Sequence, residues 1–311
     1  MGALPFGVAL AAGGIRLASV LALASLGETF SQRSGVLNIG LEGYMQLGTI
    51  VAFSTAFYTG NPWLGLLAAM AAGTALSLIH AFLSITLGAQ QMVAGIGINF
   101  FAAGLMCLMN ARFFAPLPVF PTVACFNPIA IPGLSQIPGI GPVLFQHPPI
   151  TYILFALVPL FWFTLYRTKF GLQVRAAGEF ASGSDTMGVN VYRIRYLCTL
   201  LSGVMGGLAG GFLSLGVARS FQGGMVAGRG FIALATIVLG NWNPVRVFGA
   251  CVLFGMIDAF QYRMQILEWG GVPYELWLML PYIVTIGALL ATRRVRVPRE
   301  LCIPYIREKT E

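Results

Sequence analysis

The sequence predicts an all-α, polytopic membrane protein of about nine transmembrane helices in two inverted repeats, with one large basic loop on the cytoplasmic side. Three observations predict it. Of the 311 residues, 57% are hydrophobic and 9% are Asp, Glu, Lys or Arg, against roughly 25% charged in an ordinary soluble domain. With a mean hydropathy of +0.82, too little polar surface remains to face water. The apolar residues gather in long runs, and the cations gather in two blocks at the ends of runs. A soluble enzyme, a disordered chain and a nucleic-acid-binding module are excluded, the last despite a net charge of +8.

A membrane helix needs about 20 mostly apolar residues to cross roughly 30 Å of hydrocarbon. The runs that meet or approach this are 4–26, 36–58, 63–87, 92–110, 150–166, 196–217, 245–260 and 276–292. A ninth, 230–240, covers only about half of the bilayer as a helix and reads as a short, broken span. The N-terminus lacks the basic region and cleavage site of a secretory signal and belongs to the first span. Arg16 lies inside that run: either it snorkels or the helix starts near it.

Orientation follows the cations. Arg167, Lys169, Arg175, Arg193 and Arg195 crowd the fifth connection, and Arg293, Arg294, Arg296, Arg299, Arg307 and Lys309 fill the tail. With both in the cytoplasm, the proline-rich 111–149 connection, which holds PLPVFP and HPP, lies outside. Nine spans then give an external N-terminus and a cytoplasmic C-terminus. The chain reads as one transmembrane domain over 1–311: a first repeat at 4–110, the external loop, a linking span at 150–166, the basic loop at 167–195, a second repeat at 196–292 and a tail at 293–311. The repeats start from opposite sides, as in many transporters. Each has a Gly-rich stretch after its first span, SGVLNIGLEG at 34–43 and GGMVAGRGF at 223–231. Matching interruptions point to a substrate path between the halves; close helix packing by glycine accounts for them equally well.

No catalytic constellation stands out. The two lysines, Lys169 and Lys309, sit in no phosphate-binding loop, so ATP is not bound in that manner. His80 and His147 are too few for a metal cluster and read as packing residues. The five cysteines (107, 125, 198, 251 and 302) form no CxxC pair and read as small apolar residues. No cofactor is expected.

The 167–195 loop is too long for a turn. Leu172, Ala176, Ala177 and Phe180 share a face at helical spacing, Gly178 or Gly183 is placed to end a first short helix, and Ser184 or Asp185 to cap a second. A helix–turn–helix at the membrane face suits a socket on a soluble partner; a solvated loop that only sets orientation fits the composition as well.

The segment GLQVRAAGE followed by DTMGVNVYRIRY resembles the coupling loop of permease subunits from bacterial ABC importers, the group that includes ribose-type, simple-sugar, nucleoside and branched-chain amino-acid permeases. RSGVLNIGLEGYMQLG at 33–48, GGLAGGFLSLG at 206–216, GRGFIALATIVLGNWNP at 228–244 and LMLPYIVTIGAL at 278–289 are similar to its nucleoside and simple-sugar branch, in the right order, over about 17–292. The chain is most similar to the shorter of the two unlike permeases of nucleoside importers. It departs from the pattern at GEFASGSD, where relatives carry a His-Pro or Asn-Pro pair and an Ala-rich turn.

The resemblance implies a multi-pass subunit of the bacterial cytoplasmic (inner) membrane without its own ATP site. Its partners would be an ATP-binding subunit, a second, non-identical permease, an external substrate-binding protein or lipoprotein, the lipid bilayer and a small-molecule substrate, with no nucleic acid. Arg175, Gly178, Glu179, Asp185 and Gly188 would lie where permease meets ATPase. For the substrate path, the candidates are the intramembrane polar residues Asn38 and Glu42, expected to share one helical face, with Asn99, Asn241 and the flat ring of Phe100; Tyr44 and Phe101 offer similar apolar surface. Hydrogen bonding within the subunit is the competing account of each polar group. Asp258, Arg263, Arg219 and Arg229 read as interfacial anchors or as contacts to an acidic rim of the binding protein. Two rival functions keep the same composition: a self-sufficient secondary transporter with a coupling proton on Glu42 or Asp258, and a branched-chain amino-acid ABC permease.

Overall fold

The computed structural model describes residues 5–114, 123–137, 139–266, 273–291 and 295–306. The first four helices are α1 (Phe6–Arg33), α2 (Leu41–Thr59), α3 (Pro62–Ala81) and α4 (Gln91–Phe113). The connection after α4 pairs β1 (Ile129–Ala130) antiparallel with β2 (Gln146–His147) around a short α5 (Ile140–Leu144). Next come α6 (Pro149–Arg167), α7 (Lys169–Glu179), α8 (Ala181–Thr186) and α9 (Val191–Phe212). The chain closes with α10 (Arg229–Leu239), α11 (Pro244–Ile266) and α12 (Tyr274–Ala291). The PLPVFP segment and Arg293, Arg294, Arg307 and Lys309 lie outside the described residues.

Each apolar run coincides in large part with one of these helices. Six are long and apolar enough to cross a membrane: α1, α3 with the π-helical turn that follows it, α4, α6, α9 with its own π-helical turn, and α11. α10 and α12 supply shorter apolar stretches. α2 is diluted by Glu42, Tyr44 and Gln46 in its first turns.

The core lies where α1, α2 and α9 meet, with α3 against α9 and α2, and α11 along α1. Lipid is as apolar as leucine, so helices inside it are held by close packing and hydrogen bonds. Small residues supply the first. Gly207 of α9 has its Cα against the position a Cβ would take on Gly48, while a Cβ on Gly207 itself would collide with the carbonyl oxygen of Ala69. Three backbones therefore touch at a site where any side chain would part them.

The helix ends depart from the expected boundaries. α1 runs on to Arg33, about two turns past residue 26, because the polar residues that close its apolar run all find partners inside the bundle. Gln32 Oε1 accepts the indole N–H of Trp242 at 2.8 Å, and Arg33 Nε donates to the Trp242 carbonyl at 3.3 Å. Arg16 lies ten residues into this helix, so the helix does not start near it. The second span was expected from residue 36, yet α2 begins at Leu41 and 35–40 is non-helical. Asn38 and Glu42 therefore do not share a helical face.

Candidate functional site

Two regions gather the residues that the sequence singled out. The first is the elbow formed by α7 and α8. Thr168 caps α7, its hydroxyl accepting the Gly171 N–H at 3.2 Å, and Asn190 caps α9 by accepting from Arg193 N–H at 3.0 Å. The expected caps fall elsewhere: Ser184 and Asp185 lie inside α8, Gly178 is within α7, and the break comes at Phe180, whose extended backbone separates the two helices. Leu172, Ala176 and Phe180 do share a face. With Met187 they line an open groove of about 950 Å³, and Leu172, Phe180 and Met187 are 60%, 63% and 85% exposed. Ala177 faces the other way and is buried.

The five elbow residues divide by what they touch. Gly178 lies against the last turn of α1, where a Cβ would strike the Arg33 carbonyl oxygen. Glu179 reaches Arg33 Nη1 at 3.9 Å and is half exposed. The Arg175 guanidinium covers the ring of Tyr166 at 5.2 Å. Asp185 sits in α8, and Gly188 makes the left-handed turn beyond it at φ 84°.

Nothing in the sequence marked the tail as part of this region or Arg195 as its buried clasp, yet they strap it together. Glu300 N–H donates to the Gly178 carbonyl at 2.9 Å, and its carboxylate accepts from Ala181 N–H at 3.3 Å. Cys302 N–H donates to the Gly35 carbonyl at 3.3 Å. Arg195, read from sequence as an orienting charge, is buried; its Nε donates to the Ser34 carbonyl at 3.1 Å and its Nη1 to the Ile303 carbonyl at 2.9 Å. Arg296 N–H donates to Asn241 Oδ1 at 3.0 Å, which puts Asn241 at the elbow end of the bundle.

The second region is a buried junction above the elbow. Glu28, fully buried in α1, accepts from the Ser202 hydroxyl at 2.6 Å, from Asn38 N–H at 3.1 Å and from Gln32 Nε2 at 3.1 Å. The non-helical 35–40 stretch is thereby pinned between α1 and α9. Asn99 of α4 holds its far end, accepting Gly43 N–H at 2.7 Å and donating to the Ile39 carbonyl at 3.0 Å. Glu42 then crosses to the other half of the chain. Its two carboxylate oxygens accept Gly228 N–H at 2.9 Å and Gly230 N–H at 2.7 Å, the open first turn of α10. Carboxylate on helix N–H groups is a charge-assisted pairing, favoured by the helix dipole. The two Gly-rich interruptions thus meet through one side chain. Phe100, by contrast, points away from both regions and is 76% exposed.

With this geometry in view, comparison with known proteins decides the family. The family described as "Branched-chain amino acid transport system / permease component" matches residues 10–289. The guanosine ABC transporter permease protein NupQ of Bacillus subtilis is 40% identical over 94% of both chains. The chain belongs to this permease family. The putative glucose ABC transporter permease protein TsgC13 of Haloferax volcanii is 35% identical, covering 94% of this chain and 96% of its own. The nucleoside ABC transporter permease protein NupC of Lactococcus lactis is 32% identical over 93% and 94%. The permease is thus a multi-pass inner-membrane component of an ABC system, in which separate subunits hydrolyse ATP and a substrate-binding protein takes part.

Four charged residues of the permease were expected at its surface. Arg219 bonds Asn127, and Arg263 Nη1 donates to the Phe6 carbonyl at 3.2 Å, both exposed pairings. Arg229 and Asp258 are instead buried together, Nε to Oδ2 at 3.8 Å, because the short α10 starts deep in the bundle beside α11. They are neither anchors nor rim residues.

Proposed function

We propose that this chain is the shorter of two unlike permease subunits of an ATP-driven importer for nucleosides or related simple sugars. In this reading nine helices span the membrane in two inverted repeats, the N-terminus is outside, and the elbow and tail are cytoplasmic. The observation that carries the solute class is end-to-end similarity to permeases named for guanosine, nucleosides and glucose. The elbow supports the direction of coupling. An exposed apolar groove rimmed by Lys169 and Glu179 suits a cleft on an ATP-binding subunit, and Arg175, Gly178, Glu179, Asp185 and Gly188 make or shape that contact. A rigid elbow fastened to α1 transmits closure of the ATPase as a tilt of the whole helix.

For the path, Asn38, Glu42 and Asn99 act as positioning residues that hold the interrupted backbone open between the halves. Asn241 does the same at the inner end, and Phe100 offers its ring to the partner permease.

The test is uptake by proteoliposomes holding the permease pair, the ATPase and the binding protein. ATP-dependent accumulation of guanosine or glucose is expected. Accumulation against a gradient by the chain alone would establish the secondary-transporter rival, and uptake restricted to branched-chain amino acids would overturn the solute class.

A further inference from the structure

The start of α10 opens onto two adjoining cavities. The larger, about 460 Å³, lies toward Leu17, Val217 and Gln222; the smaller, about 120 Å³, is closed by Asp258, Gln261, Pro281 and Tyr282. Arg229 and Tyr262 line both and form the waist between them, joined by Nη2 to the Tyr262 hydroxyl at 2.7 Å. α10 has 11 residues, so at 1.5 Å per residue its start lies roughly 16 Å from the elbow end, about half of the hydrocarbon thickness. That is the depth at which a transported solute must be held and released.

The smaller cavity is polar in an unusual way. Asp258 and Gln261 are only 5% and 6% exposed. Among the described residues no hydrogen bond reaches either side chain, and Asp258 has only Arg229, beyond hydrogen-bond range at 3.8 Å. Buried polar groups are nearly always bonded, and those that are not call for an explanation. These belong to the cavity wall, so a ligand can satisfy them. Its charge follows from the neighbours. Asp258 is balanced by Arg229, and Glu42 by the two N–H groups of α10, so no charge is left for an ion to answer. What a carboxylate beside an amide still lacks is a pair of neutral donors that also accept, which is the chemistry of a vicinal diol. Tyr282, 54% exposed at the mouth, adds a ring face for the apolar side of a sugar or base.

We propose that Asp258 and Gln261, with Arg229 and Tyr262 behind them, form a solute subsite that takes the vicinal diol of a ribose or hexose, the rest of the solute occupying the larger cavity. This rests on the solute class proposed above. The larger cavity falls within the span of about 300–1,000 Å³ usual for ligand pockets, and the smaller, about 120 Å³, is a side chamber for the diol end of the solute.

The decisive variant is Gln261→Leu. In the protein alone this amide bonds to nothing described, so a merely structural role predicts no loss. The complete transporter, reconstituted with saturating binding protein and ATP, is assayed for initial uptake of guanosine, 2′,3′-dideoxyguanosine and glucose. Gln261→Leu and Asp258→Asn are each expected to slow uptake of the diol-bearing solute about tenfold, the size of one lost hydrogen bond, and to leave the dideoxy compound within twofold. Guanosine alone, or glucose alone, being affected identifies the source of the diol. Wild-type rates in both variants, an equal fall for diol and dideoxy solutes, or failure of Gln261→Leu to assemble would each overturn the subsite while leaving the solute class intact. A wild-type complex that imports neither guanosine nor glucose removes the solute class and the subsite together.

Discussion

The elbow and the junction are both rich in polar residues, and they use them in opposite ways. In the elbow, Glu179 is held by one long ion pair and Arg175 by a ring contact and a bond from its Nε to the Gly171 carbonyl at 3.3 Å, with apolar Leu172, Phe180 and Met187 turned outward. In the junction, every oxygen of Glu28 and Glu42 is spoken for by a donor from another element. The first leaves apolar surface uncovered; in the second both carboxylates are already satisfied. Position explains the contrast. A surface ion pair is worth at most about 1 kcal/mol, whereas a buried acceptor removed from its donors leaves each of them unsatisfied at about 1–3 kcal/mol. Junction substitutions should therefore act on folding and elbow substitutions on coupling, and the following variants test how clean that division is.

The largest effect is expected at Glu28. Glu28→Ala strips Ser202, Asn38 and Gln32 of their shared acceptor, a loss on the order of 3 kcal/mol or more. Folded, monodisperse protein should largely disappear from a detergent extract. Normal yield and thermal stability would mean the junction is not what fixes the 35–40 segment. Gly207→Ala comes next. The added methyl must part α9 from Ala69, at about 1–3 kcal/mol, visible as a lower melting temperature with the elbow's ATPase contact unchanged. Glu42→Gln is milder. One oxygen still accepts an α10 N–H, but the amide NH₂ faces the other, so about 1.5 kcal/mol should be lost and uptake should fall in step with stability. A fall in uptake without a fall in stability would move Glu42 from positioning the path to touching solute.

The same contrast explains what could be read from the chain in advance. The elbow was legible because its pattern is local: Leu172, Ala176 and Phe180 follow one another at helical spacing, and its cations stand out against 9% charge. The two glycine-rich interruptions were also visible as such. What joins them was not, since Glu42 meets its partners 186 and 188 residues away, and no period in the sequence reports that distance. Helix ends failed for a related reason. An apolar run stops at the first cluster of polar side chains, but α1 continues through Glu28, Gln32 and Arg33 because α9 and Trp242 receive them. Arg195 was counted with the orienting charges, although the carbonyls of Ser34 and Ile303 hold it inside; a charge bound to distant backbone looks, in sequence, like a charge bound to water.

The smallest effect on stability, and the sharpest test of the division, belongs to the elbow. Arg175→Ala with Glu179→Ala removes a half-exposed pairing, a ring contact and a long bond within α7, so the melting temperature should move by no more than about 0.5 kcal/mol would produce. The connection upward nevertheless passes through this point. Gly178 abuts the Arg33 carbonyl, Glu300 bonds Gly178, and the next residues after Arg33 are the interrupted backbone held by Glu28 and Asn99. Loosening the elbow should therefore leave ATP hydrolysis running while solute uptake per ATP falls about tenfold or more, measured on the reconstituted complex with both rates read from one preparation. Import at the normal rate would show that the ATPase grips elsewhere. A loss of folded protein instead would show the elbow to be built like the junction, and the distinction between a loosely held region and one with satisfied carboxylates would fail at its plainest example.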